Sequence, residues 1–179
     1  NFLVTAPARL GLIFGSHVML KLTDYFSVIT FRLAQMAILG TLCIVTYEVI
    51  ARYLFHSPTQ SSLELTEYLM VAMGVLPMAA IYANKGHVSV DLVTNLMPPK
   101  WQHVCHAITL IISFLFGAIV FWFGTEVAMH AFETKTASSS LLSFPMWIAY
   151  SVIPLGFLAF SLESLKQFIN FTIENKEAS

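Results

Sequence analysis

The chain has 179 residues, 57% of them hydrophobic and 11% charged, and its formal net charge is −1. A soluble domain has about a quarter of its residues charged, so this composition indicates a membrane protein. The near-neutral charge excludes the basic surface that nucleic-acid-binding domains need, and lipid is the first expected partner.

The first 18 residues, NFLVTAPARLGLIFGSHV, are apolar but are interrupted by Pro7 and Arg9. They lack the basic start that is typical of a signal peptide. Two interpretations of residues 1–18 stay open: an added leader that precedes a native start at Met19, or an arm that lies in the membrane interface. We assign residues 19–172 to a membrane domain and residues 173–179 to a polar tail.

Four stretches are long and apolar enough to cross a bilayer, which takes roughly 20 mostly apolar residues in a helix. They cover residues 27–55, 63–83, 104–132 and 145–171. These stretches lack the alternation of apolar and polar residues that marks the strands of a membrane barrel. Pro77 and Pro154 are expected to interrupt and bend the second and fourth stretches. We therefore predict an all-α membrane protein with four transmembrane helices.

The basic residues predict the orientation of these helices. If the N-terminus is cytoplasmic, only Arg52 and Lys135 of the nine Lys and Arg residues lie on the opposite side of the membrane. Cytoplasmic loops carry an excess of Lys and Arg, so both termini are predicted to be cytoplasmic. Tyr82 and Trp101 then fall at the cytoplasmic headgroup level, where amphipathic rings are enriched.

The connection between the second and third helices, ANKGHVSVDLVTNLMPP, is itself half apolar. Gly86 suits the position just past a helix end, and Ser89 can cap a new helix that has Asp91 in its first turn. About two turns cannot cross a bilayer, so residues 89–97 are predicted to form a short amphipathic helix in the cytoplasmic interface. An extended loop is the alternative.

The ionisable residues of the four helices all fall within a few turns of a predicted membrane surface. Glu48 and Arg52 are four residues apart, in the order that favours an ion pair on a helix. Arg32 and Glu163 are expected at similar depth and are predicted to pair across helices. A proton pump or a haem site would need ionisable residues or facing histidines deeper in the membrane. No catalytic residue, metal ligand or cofactor is expected.

The third helix carries a seam of residues in alternating three- and four-residue steps. Small residues let helix backbones approach closely in lipid, so this seam is predicted to contact another helix. It comprises Ala107, Leu110, Phe114, Gly117, Phe121, Gly124, Ala128 and Ala131. Trp122, deep in the same helix, is predicted to be a packing residue.

Three stretches carry a resemblance to a known family. EVIARYLFHSP and LELTEYL are similar to its arginine-aromatic helix end and to a Glu-Leu motif, which Glu64 and Leu65 match. KGHVSVDLV is similar to its Gly-His followed by an apolar-Asp pair, and SFPMWIAYSVIPLGF to its Pro-Met-Trp and Pro-Leu-Gly. Over residues 22–172 the chain resembles the small membrane subunit, Q, of tripartite ATP-independent periplasmic (TRAP) transporters. Glu67 departs from the pattern, because an arginine is common there.

The resemblance implies a four-helix subunit of the bacterial inner membrane that binds a much larger membrane subunit, M. In this family a soluble periplasmic subunit, P, captures an organic acid and delivers it, and a sodium gradient drives uptake. The resemblance implies that Q is a scaffold for M and helps to dock P, while the substrate and sodium sites belong to M. Family substrates include dicarboxylates, keto acids and sialic acid, of which we favour sialic acid.

The candidate contacts with these partners combine charges at the predicted outer surface, small residues and matched motifs. They are Arg52, Glu64, Glu67, Gly86, His87, Asp91, Gly117, Gly124, Pro145, Trp147, Pro154 and Gly156. Glu64 and Glu67 are expected to face P, with a pairing of Glu64 and Arg52 inside the chain as the alternative for Glu64. Two other functions stay open: a self-contained small four-helix transporter, and a membrane anchor subunit of an electron-transfer complex.

Overall fold

The structure, a computed structural model, describes residues 6–56, 60–83, 98–138 and 143–177. Within these ranges the side chains of some residues are left out, namely residues 6–20, 22, 60–61, 99–100 and 174–177. The predicted interfacial helix of residues 89–97 lies outside the described residues, and so do the candidates Gly86, His87 and Asp91.

Five helices make up most of the described chain. Named α1 to α5 in chain order, they are Ala6–Leu54, Gln60–Val75, Met78–Ala83, Pro99–Glu133 and Met146–Glu177. Four stretches have the length and apolar composition to cross a membrane: Thr23–Leu54, Ser62–Ala83, Trp101–Glu133 and Met146–Ile173. The prediction of an all-α protein with four membrane-spanning helices is confirmed.

The two prolines inside the spans have different effects. A turn at Leu76 and Pro77 separates α2 from α3. Pro77 has no N–H to donate to the preceding turn, and its carbonyl accepts a hydrogen bond from the N–H of Ile81 in α3, at 3.0 Å. In contrast, α5 runs through Pro154 without a break. The predicted interruption is therefore confirmed at Pro77 and wrong at Pro154, where the predicted bend stays a prediction.

Helix α5 contacts each of the other four helices. At its contact with α4, a β-carbon added at Gly117 of α4 would lie 3.0 Å from side-chain atoms of Phe160 and Ser161 of α5. At its contact with α2, a β-carbon added at Gly156 of α5 would lie 2.8 Å from the carbonyl oxygen of Val75 at the end of α2. Glycine at these two positions lets neighbouring helices approach closely, as small residues do in membrane bundles.

Helix α1 joins the bundle through small side chains. Ala34 and Ala37 pack with Ala72 and Leu76 of the second span in one buried apolar cluster. The opposite face of α1 is exposed along the part of the helix whose side chains are described. Helix α4 is also largely exposed away from α5, and Trp122 is 71% exposed. The predicted packing of Trp122 is therefore wrong within the described chain.

The bundle has two ends, which we name by the parts of the chain found there. The terminal end holds residues 21–26 of α1 and 165–173 of α5. The loop end holds the last turn of α1, the first turns of α2 and the connection between α4 and α5. That connection folds back on itself through two backbone hydrogen bonds. The N–H of Met146 donates to the carbonyl oxygen of Thr136 at 3.1 Å, and the N–H of Ser138 donates to the carbonyl oxygen of Phe144 at 2.9 Å.

Candidate functional site

Charged side chains of two helices, α1 and α5, meet towards the terminal end of the bundle. Lys166 of α5 donates through Nζ to Oδ1 of Asp24 on α1, and its Nζ lies 3.2 Å from Oε1 of Glu163, one turn earlier. Glu163 is only 2% exposed. A buried carboxylate that loses its counter-charge destabilises a fold by about 3–5 kcal/mol. Lys166 therefore allows Glu163 to be buried.

Neutral hydrogen bonds extend this group to α3 and α4. The hydroxyl of Ser164, which is fully buried, donates to the carbonyl oxygen of Leu110 at 3.0 Å and lies 3.4 Å from the hydroxyl of Tyr82. Gln167 donates through Nε2 to the carbonyl oxygen of Tyr82 at 3.0 Å. That carbonyl is in the last turn of α3, where carbonyls lack partners within their own helix.

We call Asp24, Tyr82, Glu163, Ser164, Lys166 and Gln167 the polar cluster. The ring of Tyr82 is buried and packs edge-on against Phe160, with 4.9 Å between ring centroids. No buried side-chain nitrogen or oxygen among the described residues lacks a hydrogen-bond partner. The polar cluster therefore ties α1, α3, α4 and α5 together with its own bonds satisfied.

The predicted pair between Arg32 and Glu163 is wrong. Arg32 is exposed, and its Nη1 donates to Oε1 of Gln35 at 3.2 Å. The reason is the direction of the side chain, since Arg32 and Ala34 are separated by about 200° around the helix. Ala34 faces the second span, so Arg32 points out of the bundle while Glu163 points into it.

The loop end carries shorter-range polar contacts. Arg52 donates through Nη2 to Oε1 of Glu48 at 3.0 Å, which confirms the predicted ion pair four residues apart on α1. The side chain of Glu48 is 10% exposed and that of Arg52 is 52% exposed. The guanidinium therefore covers a carboxylate that is mostly inside the bundle.

Tyr68 links α2 to the connection between α4 and α5. Its hydroxyl donates to Oε1 of Glu64 at 2.6 Å and lies 3.2 Å from the sulfur of Met146. Its ring stacks on Phe144, with 5.2 Å between centroids. Glu64 thus faces a neighbouring side chain of its own helix, while Glu67, one turn away, is exposed.

The remaining candidates lie in different surroundings. Gly117, Gly124, Pro154 and Gly156 pack between helices of this chain, and Gly124 lies against Pro154. Pro145 forms an isolated bridge with Ala137, and Trp147 packs edge-on against Phe132 at 5.6 Å. Contacts of any of these residues with a partner stay a prediction. No group of three or more side chains able to hold a metal occurs among the described residues.

Sequence reasoning missed most of the polar cluster. The spacing of Glu163 and Lys166, three residues apart, is a usable signal, because such residues are neighbours on a helix. The long-range partners give no such signal: Asp24 lies 142 residues from Lys166, and Tyr82 lies 82 residues from Ser164. These contacts depend on how the helices assemble.

Two comparisons with known proteins bear on this bundle. The sequence model of a family described as "Tripartite ATP-independent periplasmic transporters, DctQ component" matches residues 41–172. A relative from Haemophilus influenzae (strain 86-028NP), named "Sialic acid TRAP transporter permease protein SiaT", is 31% identical over 90 residues. That alignment covers 48% of this chain and 15% of the relative, so the chain corresponds to a small part of the relative's length.

Proposed function

The chain belongs to the DctQ family of tripartite ATP-independent periplasmic transporters, and on this premise we propose that it is the scaffold of a larger membrane subunit. Family membership makes it a small subunit of a TRAP transporter and a multi-pass protein of the inner membrane, with a role in transport rather than in enzymatic catalysis. The larger partner is the M subunit, which on this proposal carries the substrate and sodium sites.

The observation that carries the scaffold proposal is the self-sufficiency of the polar cluster. Its charged and polar groups bond to one another and hold four helices together. A solute pathway would instead expose ionisable groups to a cavity inside the membrane. The large apolar surfaces of α1 and α4 support the proposal further, because they offer contact area to another membrane protein.

The substrate proposal depends on the relative. Its name refers to sialic acid, and we propose uptake of an organic acid, with sialic acid first, driven by a sodium gradient. The chain itself would not select this substrate, since selection belongs to M and P.

A matched reconstitution tests the scaffold proposal. Proteoliposomes containing this chain alone should show no sodium-driven uptake of sialic acid in the presence of P, while those containing the chain and M should show it. M purified without this chain should be less stable to heat. Uptake by the chain alone, or equal heat stability of M with and without it, would refute the proposal.

We propose that both termini are cytoplasmic, so that the loop end faces P. The excess of basic residues at the other end supports this orientation. In a background with Cys43 and Cys105 replaced by serine, Lys135→Cys should react with an impermeant thiol reagent in intact cells, and Asn175→Cys should react only after lysis. Equal labelling of both positions in intact cells would contradict this orientation.

Docking of P is proposed for an exposed carboxylate at the loop end, that of Glu67. Glu67 is exposed, whereas Glu64 accepts a hydrogen bond from the hydroxyl of Tyr68, so of these two carboxylates Glu67 is the one that faces outward. Charges at the rim of an interface mostly set association rates. Glu67→Lys should slow uptake at limiting P, most strongly at low salt, with a complex that assembles normally. Unchanged uptake across P concentrations would remove Glu67 from the docking surface.

A further inference from the structure

Arg32 occupies an unusual position for an exposed cation. Two residues further along α1, Ala34 packs in one cluster with Ala72 and Leu76. Ala72 lies halfway along the span Ser62–Ala83. At 1.5 Å per residue, Arg32 therefore lies within roughly 10 Å of the middle of a hydrocarbon core that is about 30 Å thick. Its backbone position is inside the region where lipid offers no polar partner.

The direction of the side chain is equally informative. Nη1 of Arg32 donates to Gln35, which lies one turn towards the loop end. The guanidinium thus bonds to a residue one turn deeper in the membrane, whereas an arginine that snorkels extends towards the nearer surface. Gln35 is its one described hydrogen-bond partner, and a guanidinium has five N–H donors. Most of these donors need acceptors from another molecule.

The face around Arg32 is continuous. Helical spacing places Met36, Leu39, Cys43 and Tyr47 on the same side of α1, and all four are exposed. We call these residues, with Arg32, the Arg32 face. The outward side of α4 is different in kind. Its exposed residues at comparable depth are apolar, namely Ile111, Ile112, Leu115, Phe116, Ile119 and Trp122.

Charged side chains inside membranes normally face protein and pair with an opposite charge. We infer that the Arg32 face is the surface of this chain that packs against M, and that M presents a carboxylate to Arg32 within the membrane. A carboxylate is the acceptor that matches the planar donor geometry of a guanidinium. The outward side of α4 then faces lipid. This inference rests on the proposed scaffold function and adds the side of the molecule on which the partner sits.

Cys43 provides a built-in probe of the Arg32 face. In the complex with M, a Cys105→Ser variant carries Cys43 as its single cysteine. A thiol-reactive benzophenone attached there should crosslink to M on illumination. The matched control is the variant Cys43→Ser, Cys105→Ser, Leu115→Cys, whose thiol lies on α4 and should crosslink to lipid. Crosslinking to M only from position 115, or from position 43 only to a second copy of this chain, would overturn the inference.

Substitution of Arg32 tests the proposed charge pair. Arg32→Gln should lower the amount of M that copurifies with the chain by about tenfold or more, if one buried charge pair worth at least about 1.4 kcal/mol is lost. Ile112→Gln on α4 adds the same amide at similar depth and should change copurification less than twofold. The heat stability of each variant without M shows whether the chain still folds. Unchanged copurification of Arg32→Gln, or its restoration by anionic lipid alone, would overturn the inference.

These outcomes separate the inference from the function on which it rests. If the unmodified chain fails to copurify with M, the scaffold proposal itself fails. If the unmodified chain copurifies with M while position 43 does not crosslink to it, the scaffold proposal stands and the Arg32 face is wrong.

Discussion

The two ends of the bundle solve the problem of polar groups in a membrane differently. At the terminal end, the polar cluster joins four helices through residues far apart in sequence. At the loop end, Glu48 bonds to Arg52 and Glu64 to Tyr68 within a helix, and one side chain, Tyr68, also contacts Met146 and Phe144. Bonds between helices fix their relative positions, whereas bonds within a helix leave them free to adjust. The terminal end, with more bonds between helices, should therefore behave as the more rigid base and the loop end as the more adaptable surface.

Removal of the charge at the centre of the polar cluster should have the largest effect. Lys166→Met leaves Glu163 buried without its counter-charge, which costs about 3–5 kcal/mol. The thermal midpoint of the detergent-purified chain should fall by about ten degrees. Lys135→Met, at the exposed loop end, is the control and should change the midpoint little. Equal midpoints for the two variants would show that the ends do not differ in this way.

A variant that changes only helix packing shows how much stability depends on close helix contact rather than on polar bonds. Gly156→Ala places a β-carbon 2.4 Å from Cγ1 and 2.8 Å from the carbonyl oxygen of Val75. The methyl of Val75 can rotate but its carbonyl cannot, so we expect a loss of about 1–3 kcal/mol. Gly74→Ala meets nothing within 4 Å and should be neutral or stabilising by up to about 1 kcal/mol. The comparison is made by thermal unfolding, and an equally stable Gly156→Ala would contradict the close contact.

The long-range contact at the loop end should matter less. Tyr68→Phe keeps the ring that stacks on Phe144 but removes the donor to Glu64, and we expect a loss of about 1 kcal/mol. Limited proteolysis should also cut the connection between α4 and α5 faster, because the contact of the Tyr68 hydroxyl with the sulfur of Met146 is lost. Tyr53→Phe, at an exposed ring on α1, is the control. A loss as large as that of Lys166→Met would mean that the loop end is as rigid as the base.

The smallest effect is expected at the ion pair on α1. Arg52 is half exposed, and Glu48 has a further interaction besides this ion pair. Arg52→Met therefore does not leave Glu48 as an uncompensated buried charge, and we expect the loss typical of ion pairs on helices, about 0.3–0.5 kcal/mol. The thermal midpoint should shift by no more than about two degrees. Arg52→Lys keeps the charge and serves as the control. A shift comparable to that of Gly156→Ala would show that Glu48 depends on Arg52 more than its local geometry suggests.

The fold was largely predictable because membrane spans follow from length and hydropathy. The break at Pro77 and the Glu48–Arg52 pair were predictable for a similar reason, since both are local. Pro154 was not, because the sequence does not show that Gly124 of α4 packs against it. Neighbouring helices can keep a proline inside a continuous membrane helix.

The sites were less predictable than the fold. The sequence indicated that Arg32 and Glu163 are charged residues within spans. Their partners depend on which face of each helix points into the bundle, and the sequence does not show that. Ala34 sets that face for α1 and Ser164 for α5, and neither residue stands out among the other small residues of the chain. The same limit applies to Gly117 and Gly124, whose small size predicted a helix contact without indicating which helix it would be.

The turn at Leu76 and Pro77 divides the second span into two parts, and the side chains of each part can pack against their neighbours independently of the other part. The part before the turn packs against α1 through Ala72, and the part after the turn contacts α5 through Tyr82. In a continuous helix, one added residue would rotate every later side chain by about 100°. At a turn, an added residue can be absorbed locally. One alanine inserted after Leu76 should therefore lower the thermal midpoint less than one inserted after Ala72, and the reverse order would show that the span acts as a single rod.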